Sequence, residues 1–412
     1  MILSQRIEIK PNKELKAILE DYFNYSRYIY NKGLATWNTM YDKYKETNDK
    51  QDLPHYYKVR DYLKANKEDW EENYPKQILE TSSQNVNYAF NLFFKKESKL
   101  PKYKSKKGYK KSFRIYRKNE WSIQIRTKKE IDNNPQRNCQ FYKFVDPDNS
   151  NRKYLKLQGI KQYIKMKECL RFDGIIKECT ISYVNFKYYA SFRVELDDNY
   201  IDNTYEINYS DKKDFIGIDL GVKNIAIIND SNGLFRKYKS LVKVLKPYYM
   251  KVDYYNRILS RKVPNSKNYE KTRAKLNHNY LRIKNIRKDY LDKITTFIAL
   301  NYRNIVIESL KVKNLSKNRR LSKVIWESCF YTFRCMLEYK SKLYKSNLII
   351  AKNNFPSTQL CSKCGNRLTK HNKITLKQRT YKCPKCGFII DRDFNSSINL
   401  KLYGMNIVGM AN

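Results

Sequence analysis

The spacing of apolar residues changes character several times along the chain, and each change predicts a different element. Ile2 to Lys10 alternates apolar with polar positions and is closed by Pro11-Asn12, the pattern of a short strand. From Leu15 the period becomes helical. Leu15, Ile18, Leu19, Tyr22 and Phe23 share a face that continues through Ile29, Tyr30, Leu34 and Trp37. Two more helices are predicted at about Tyr56–Leu63 and Ile78–Phe94, the second with a stripe of Leu79, Val86, Ala89, Phe90 and Phe93. Stripes of this kind form the core of a helix bundle. From Ser112 to Leu196 alternation returns at Ile123, Ile125, Leu155, Leu157, Ile164 and Met166, and Thr180–Val184 with Tyr188–Leu196 reads as a hairpin turning near 185–187. Short antiparallel strands with few helices predict a small barrel, to which the N-terminal strand returns, with the helices inserted in it.

A further change comes at Asp214. Phe215–Asp219 and Asn224–Ile228 form a predicted hairpin, followed by long basic helices over about Leu241–Arg261 and Glu270–Asn301. On the second of these, Leu276, Tyr280, Ile283, Tyr290, Ile294 and Phe297 make one face. Asn304–Ile307 is a strand ending in Glu308, Trp326–Tyr344 a helix, Leu348–Ala351 a strand and Asp393–Tyr403 a helix.

Charge narrows the function. Lys and Arg number 84 against 41 Asp and Glu, a net charge of +43 with a pI near 9.7. Such a charge repels itself, and polyphosphate neutralises it best, because each contacted phosphate releases condensed counterions. No stretch approaches the ~18 uninterrupted apolar residues of a membrane span, and the first ten residues lack the apolar run of a signal peptide. We therefore expect a cytoplasmic, soluble protein bound to nucleic acid. Lys95 to Arg114 holds ten basic residues against one acid, Glu97, with Tyr103, Tyr109 and Phe113 among them. Cations interleaved with aromatics suit backbone and exposed bases, and Lys102, Lys104, Lys106 and Arg114 are the nucleic-acid contacts expected from charge alone.

Of nine cysteines, Cys139, Cys169, Cys179, Cys329 and Cys335 are scattered and read as reduced, mostly buried thiols. The other four form two Cys-x-x-Cys-Gly knuckles, Cys361 with Cys364 and Cys383 with Cys386, separated by 18 residues. That spacing is a zinc ribbon's, and a closed shell of four thiolates makes the zinc structural. Three acids fall at element ends: Asp219 and Glu308 close strands, and Asp393 opens a helix. Carboxylates converging from separate elements would hold two hard divalent ions for phosphodiester hydrolysis. Singly, each has a plainer reading as turn residue, surface acid or helix cap, and spacing alone does not bring them together.

Four segments in order, FIGIDLGVKN at 215–224, IVIESL at 305–310, FPSTQLCSKCG at 355–365 and DRDFNSSINL at 391–400, resemble the signatures of TnpB, the family of transposon-encoded nucleases related to compact type V CRISPR effectors. IEIKPN at 7–12, SRYIYN at 26–31 and LPKYKSK at 100–106 resemble its N-terminal half, so the likeness covers nearly the whole chain. It implies an α/β multidomain protein: an RNase H-like RuvC nuclease domain with an inserted four-cysteine zinc ribbon, preceded by a small β-barrel carrying a helical bundle. The segments would be 1–11, first strand of the barrel (wedge); 12–110, helical recognition insertion; 111–212, the rest of the barrel; 213–353, RuvC; 354–390, ribbon; and 391–412, the last of RuvC.

The resemblance further implies that Asp219, Glu308 and Asp393 bind two Mg2+ ions, with Mn2+ as the substitute. The position of the terminal Asn, matched by Asn395, selects Asp393 over Asp391. Where the family often has two alanines, this chain has Ser396 and Ser397, small residues expected to leave activity intact. The implied partners are a guide RNA and double-stranded target DNA, with no membrane and one or two protein copies per RNA. The protein would cut DNA beside a short adjacent motif, the guide supplying sequence specificity. Alternatives are a compact type V CRISPR effector and a non-cleaving RNA-guided repressor, though a repressor would lack the acidic triad. A tyrosine transposase needs paired histidines, and His55, His278 and His371 lie far apart.

Overall fold

The computed structural model describes residues 1–106, 111–118, 123–126, 154–171, 174–197, 211–310, 328–369, 373–375 and 378–409. The chain divides into two compact units, Met1–Tyr200 and Ile201–Asn412.

In the first unit, strand β1 (Ile2–Lys10) leads into helix α1 (Lys13–Thr47), followed by α2 (Tyr56–Ala65) and α3 (Lys76–Phe94). Asn12 starts α1, its side chain accepting from Leu15 N–H at 2.8 Å. The predicted stripes are the buried faces: Leu15, Leu19, Ile29 and Leu34 on α1 meet Val59 and Leu63 on α2 and Ile78 and Val86 on α3. Six strands follow: β2 (Lys111–Tyr116), β3 (Ile123–Arg126), β4 (Tyr154–Leu157), β5 (Ile164–Met166), β6 (Ile175–Val184) and β7 (Lys187–Glu195). The β6–β7 turn uses Asn185 and Phe186, both at positive φ, as a two-residue hairpin requires. All seven strands form one antiparallel sheet in the order β2-β6-β7-β1-β5-β4-β3. The N-terminal strand thus lies in mid-sheet, paired with β7 on one side and β5 on the other.

The second unit is built on a five-stranded sheet. Its strands are β8 (Lys213–Leu220), β9 (Asn224–Asp230), β10 (Phe235–Lys239), β11 (Tyr302–Ile307) and β12 (Asn347–Ile350), in the order β10-β9-β8-β11-β12. The first three form an antiparallel meander, while β11 runs parallel to both β8 and β12. Central strands buried on both faces read as continuous apolar runs, hence Phe215–Leu220 and Ile225–Ile228. Helices α4 (Val242–Ser260) and α5 (Lys267–Asn301) form a hairpin between β10 and β11, α6 (Phe330–Leu343) precedes β12, and α7 (Arg392–Val408) covers the sheet over β8, β9 and β11. Two glycines permit that cover. A Cβ on Gly217 would stand 2.0 Å from the Ser397 carbonyl oxygen of α7, and one on Gly404 2.3 Å from Val306 Cγ2 of β11.

One strand is absent from the sequence reading and two expectations need correction. The edge strand β10 has no strong sequence signal, since only Tyr238 in it is buried. Tyr280 was placed on the buried face of α5 but is 46% exposed; the face is built from Leu276, Ile283, Leu291, Ile294 and Ile298. Of the scattered cysteines among the described residues, Cys179 is buried and Cys169, Cys329 and Cys335 are half-buried, while Cys139 lies outside the described residues. Trp326, Tyr109 and His371 lie outside them too. Among the described residues no helix is long and apolar enough to cross a membrane.

Candidate active site and metal centre

Strand register brings two of the predicted acids together. β8 and β11 are parallel with Ile218 opposite Ile307, so the next residue on each, Asp219 and Glu308, emerges side by side at the carboxyl ends. In-register parallel neighbours share a face of the sheet. Leu220 N–H donates to Glu308 Oε1 at 3.1 Å, and the Ser396 hydroxyl of α7 donates to Asp219 Oδ1 at 2.8 Å. The pair is electrostatically unhappy without a cation. Burial first, then the charge of Asp393, pushes Asp219 up to about 7 against the relief of the Ser396 bond. Burial and then Asp219 hold Glu308 well above the usual carboxylate range. Crowded, buried carboxylates of this kind favour protons or metal.

Asp393 sits in the first turn of α7, but its carboxylate is turned toward arginine. Its Oδ1 accepts from Arg392 at 2.7 and 2.9 Å, and its Oδ2 from Arg379 at 3.5 Å. The three acids therefore do not converge on one point. Among the described residues the four cysteines are the one group of three or more His, Cys, Asp or Glu side chains whose ligand atoms lie within 4.8 Å of one another. The N-cap role left open for Asp393 belongs to Asp391. Its Oδ1 accepts from the backbone N–H of Asp393 (3.0 Å) and Phe394 (3.2 Å), and its Oδ2 from Lys237 at 3.0 Å. Burial raises the Asp391 carboxyl, but Lys237 and the two amides outweigh it and hold it below the ordinary value.

The cysteine group caps a small ribbon of β13 (Thr380–Lys382) and β14 (Ile389–Asp391). Each knuckle closes through glycine at positive φ: Gly365 N–H donates to Cys361 C=O at 2.9 Å and Gly387 N–H to Cys383 C=O at 3.0 Å. Cys361 and Cys386 Sγ are 3.7 Å apart, as are Cys364 and Cys383 Sγ. Thiolates ~2.3 Å from a tetrahedral zinc would be separated by ~3.8 Å, so the group has a zinc site's dimensions. The ribbon's neck is tied to α7. Asn395 Nδ2 donates to Leu360 C=O (2.6 Å) while its Oδ1 accepts from Ser362 N–H (3.0 Å). Asn399 Nδ2 donates to the carbonyls of Ser357 and Leu360, both at 2.8 Å.

Of the residues expected to touch nucleic acid, Lys102 and Lys106 are exposed. Lys104 is held by Asn31, which bonds its backbone N–H and C=O at 2.8 and 3.1 Å, and its ammonium lies 3.6 Å from the Tyr30 ring centre. Lys104 and Lys106 line a cavity of about 220 Å³ with Arg27, Lys111, Asn24 and Ser26. Arg114 is engaged elsewhere, bonded to Gln84 at 2.6 Å and paired with Glu178 at 3.4 Å. Sequence reasoning missed an open groove of about 560 Å³ between α4 and α5, lined by Tyr248, Tyr255, Lys251, Lys275, His278 and Arg282. Its signal was available: cations and tyrosines recurring on facing helices, with no acid among them.

Three family models match the chain: "Probable transposase" over residues 191–319, "Cas12f1-like, TNB domain" over 330–400 and "Helix-turn-helix domain" over 1–46. The residues under the last form β1 and most of a single uninterrupted helix, α1, rather than two helices and a turn. A curated protein of Escherichia coli K12, "Putative RNA-guided DNA endonuclease InsQ", is 26% identical over 97% of this chain and 91% of its own length. Another, from Streptomyces pristinaespiralis and named "Putative RNA-guided DNA endonuclease", is 37% identical over 36% of each chain. A solved Cas12f1-sgRNA-target DNA complex aligns over 97% of this chain and 99% of that one at 15% identity, with a TM-score of 0.34, too low for the overlay to carry any argument.

Proposed function

Since the chain belongs to the TnpB family of OrfB-type insertion-sequence proteins, with a RuvC-type transposase domain and a four-cysteine group, we propose that it is an RNA-guided DNA endonuclease whose hydrolytic site is Asp219, Glu308 and Asp393. The observation that carries the site is the burial of Asp219 beside Glu308 at the ends of two parallel strands, where burial and the charge of Asp393 raise Asp219, and burial and the charge of Asp219 raise Glu308. Catalytic sites of open α/β sheets lie at such carboxyl ends.

The donor set is oxygen only, which fits hard divalent ions such as Mg2+ or Mn2+. Ions held there would supply water activation and charge neutralisation at the leaving oxygen. The protein's own part is positional. Ser396 and Leu220 N–H fix one oxygen of Asp219 and of Glu308, and Arg379 with Arg392 supplies guanidinium charge beside Asp393 that suits a phosphodiester. Asp393 would complete the donor set for such an ion once its carboxylate turned from the arginines. The engagement of Asp391 as helix cap and partner of Lys237 supports Asp393 as the third acid.

In the same reading the four cysteines hold a structural zinc, and the sheet of the first unit is a barrel (wedge) carrying the helical recognition insertion. The basic cavity by Lys104 and the α4–α5 groove contact guide RNA or target DNA, whose phosphates neutralise the +43 charge. The test is Asp219→Ala. Cleavage of a guide-matched duplex should be abolished while RNA-dependent target binding stays near parental. Retained cutting would remove the assigned site.

A further inference from the structure

We infer that Ser396, its hydroxyl oriented by Ser357, is a positioning residue that decides which oxygen of Asp219 is offered to a divalent ion. This rests on the reading of Asp219 as a metal ligand. The argument itself is one of proton counting. Ser396 is fully buried, and its Oγ lies 2.8 Å from Asp219 Oδ1 and 2.9 Å from Ser357 Oγ. An ionised carboxylate only accepts, and a serine has one hydroxyl proton. With Asp219 ionised, as a metal ligand is, Ser396 must therefore give its proton to Asp219, and Ser357 must give its own to Ser396. The chain has one direction.

Its consequence is geometric. Asp219 Oδ1 is committed to the hydroxyl, which leaves Oδ2 for a cation. Glu308 is arranged alike, with Oε1 committed to Leu220 N–H at 3.1 Å and Oε2 left. Ser357 is itself fixed, since its carbonyl accepts from Asn399 Nδ2 of α7 at 2.8 Å. Ser357 also lies just before the ribbon's first knuckle, so the orientation of Asp219 is referred to the ribbon's root as well as to the sheet. The neighbouring serine supplies an internal comparison. Ser397 is equally buried, but its hydroxyl donates to Phe394 C=O at 2.8 Å within α7 and does not reach Asp219.

The experiment uses the guide-RNA complex without target DNA. Mn2+ binding is read from the paramagnetic resonance signal of the free ion, alongside a thermal melt and the Mg2+ concentration giving half-maximal cleavage. Removing the partner of a ligating carboxylate typically weakens metal affinity by ~10–100-fold, so Ser396→Ala should lose about tenfold. Melting should change little and cleavage should recover at saturating metal. Ser357→Ala should show a smaller loss of the same kind, and it keeps the question open to measurement if Ser396→Ala fails to fold. Ser397→Ala should bind Mn2+ as the parent does. Equal affinity in the Ser396→Ala and Ser397→Ala variants would overturn the inference. If Asp219→Ala also binds Mn2+ normally, the metal-site reading falls first and takes the positioning role with it.

Discussion

Gly217 lies two residues before Asp219 on β8, directly beneath the helix that carries Asp393 and Ser396. A methyl group there would stand 2.0 Å from the Ser397 carbonyl oxygen and 2.6 Å from the Lys401 amide nitrogen, where ordinary contact begins at 3.4 Å. Both obstacles are helix backbone, which cannot rotate aside, so α7 must retreat by about 1.4 Å over its middle turns. Overpacking of this kind costs ~1–3 kcal/mol. For a unit of about 200 residues each kcal/mol lowers melting by about 2–4 °C. The larger effect falls on chemistry, because a displacement of about 1 Å in a catalytic group costs on the order of 100-fold in rate. Gly217→Ala should therefore cut about 100-fold more slowly in single-turnover assays at saturating guide and metal, with target binding retained. Gly233→Ala is the control. It sits at φ +82° with nothing near its would-be Cβ, so it should lose ~1–2 kcal/mol to backbone strain and keep its cleavage rate. A Gly217→Ala protein cutting at the parental rate would refute the claim that α7 seats the site through this close approach.

Other outcomes follow from the same structure. Asp230 is wholly buried and accepts from Lys213 (2.7 Å), Tyr302 (3.1 Å) and the amides of Asn232 (2.9 Å) and Leu234 (2.8 Å). Burial raises its carboxyl, yet these donors outweigh that and hold it below its ordinary value of 3.8. Its contribution is thus present above that value and lost as pH falls through the lower folded pKa. Asp230→Asn should cost about 2–3 kcal/mol at pH 7, the usual buried-pair figure discounted because Lys213 is partly exposed, and the deficit should shrink in acid melts. Cys383→Ser should abolish stoichiometric zinc by elemental analysis and expose the ribbon to protease, since metal binding supplies folding energy there. A Lys275→Glu, Arg282→Glu double variant should bind RNA more weakly and lower the slope of log affinity against log salt by about one per lost contact; an unchanged slope would take the α4–α5 groove out of the interface.

The sequence was most legible where one periodicity ran long. The stripes on α1 and α3, the β6–β7 hairpin and the knuckle glycines all appear where spacing placed them, because burial on one face and positive φ at a turn leave direct traces in residue type. The site was legible only through resemblance. Leu220, the residue after Asp219, and Glu308 are 88 positions apart, and what joins the two acids is the parallel register of β8 with β11, which local pattern does not encode. Pairing at the edge of the sheet was likewise hidden. β10 reads Phe-Arg-Lys-Tyr-Lys and owes its existence to pairing with β9. Tyr280 shows the converse error: an aromatic residue at core spacing faces outward, because α5 meets α4 along a stripe rotated from the one that hydrophobicity suggested. Ser396 had been read for size alone. Its hydroxyl matters because α7 lies close enough to β8 for it to reach Asp219.

The tie between Asn395 and Leu360 also has an entropic side. Because the excursion from Leu360 to Asn395 is pinched shut at its base and clipped again by the two knuckles, the chain between Cys364 and Cys383 closes its loop without help from the sheet. Loop-closure entropy grows only logarithmically, about 0.6 kcal/mol for each doubling of length. Away from Arg379, which reaches back to Asp393, the segment can therefore change in length at little thermodynamic cost while the neck keeps α7 in place. The fold thus holds a length-tolerant outer segment next to a centre that tolerates almost no displacement, joined to it by the amide bonds at the neck and by Arg379.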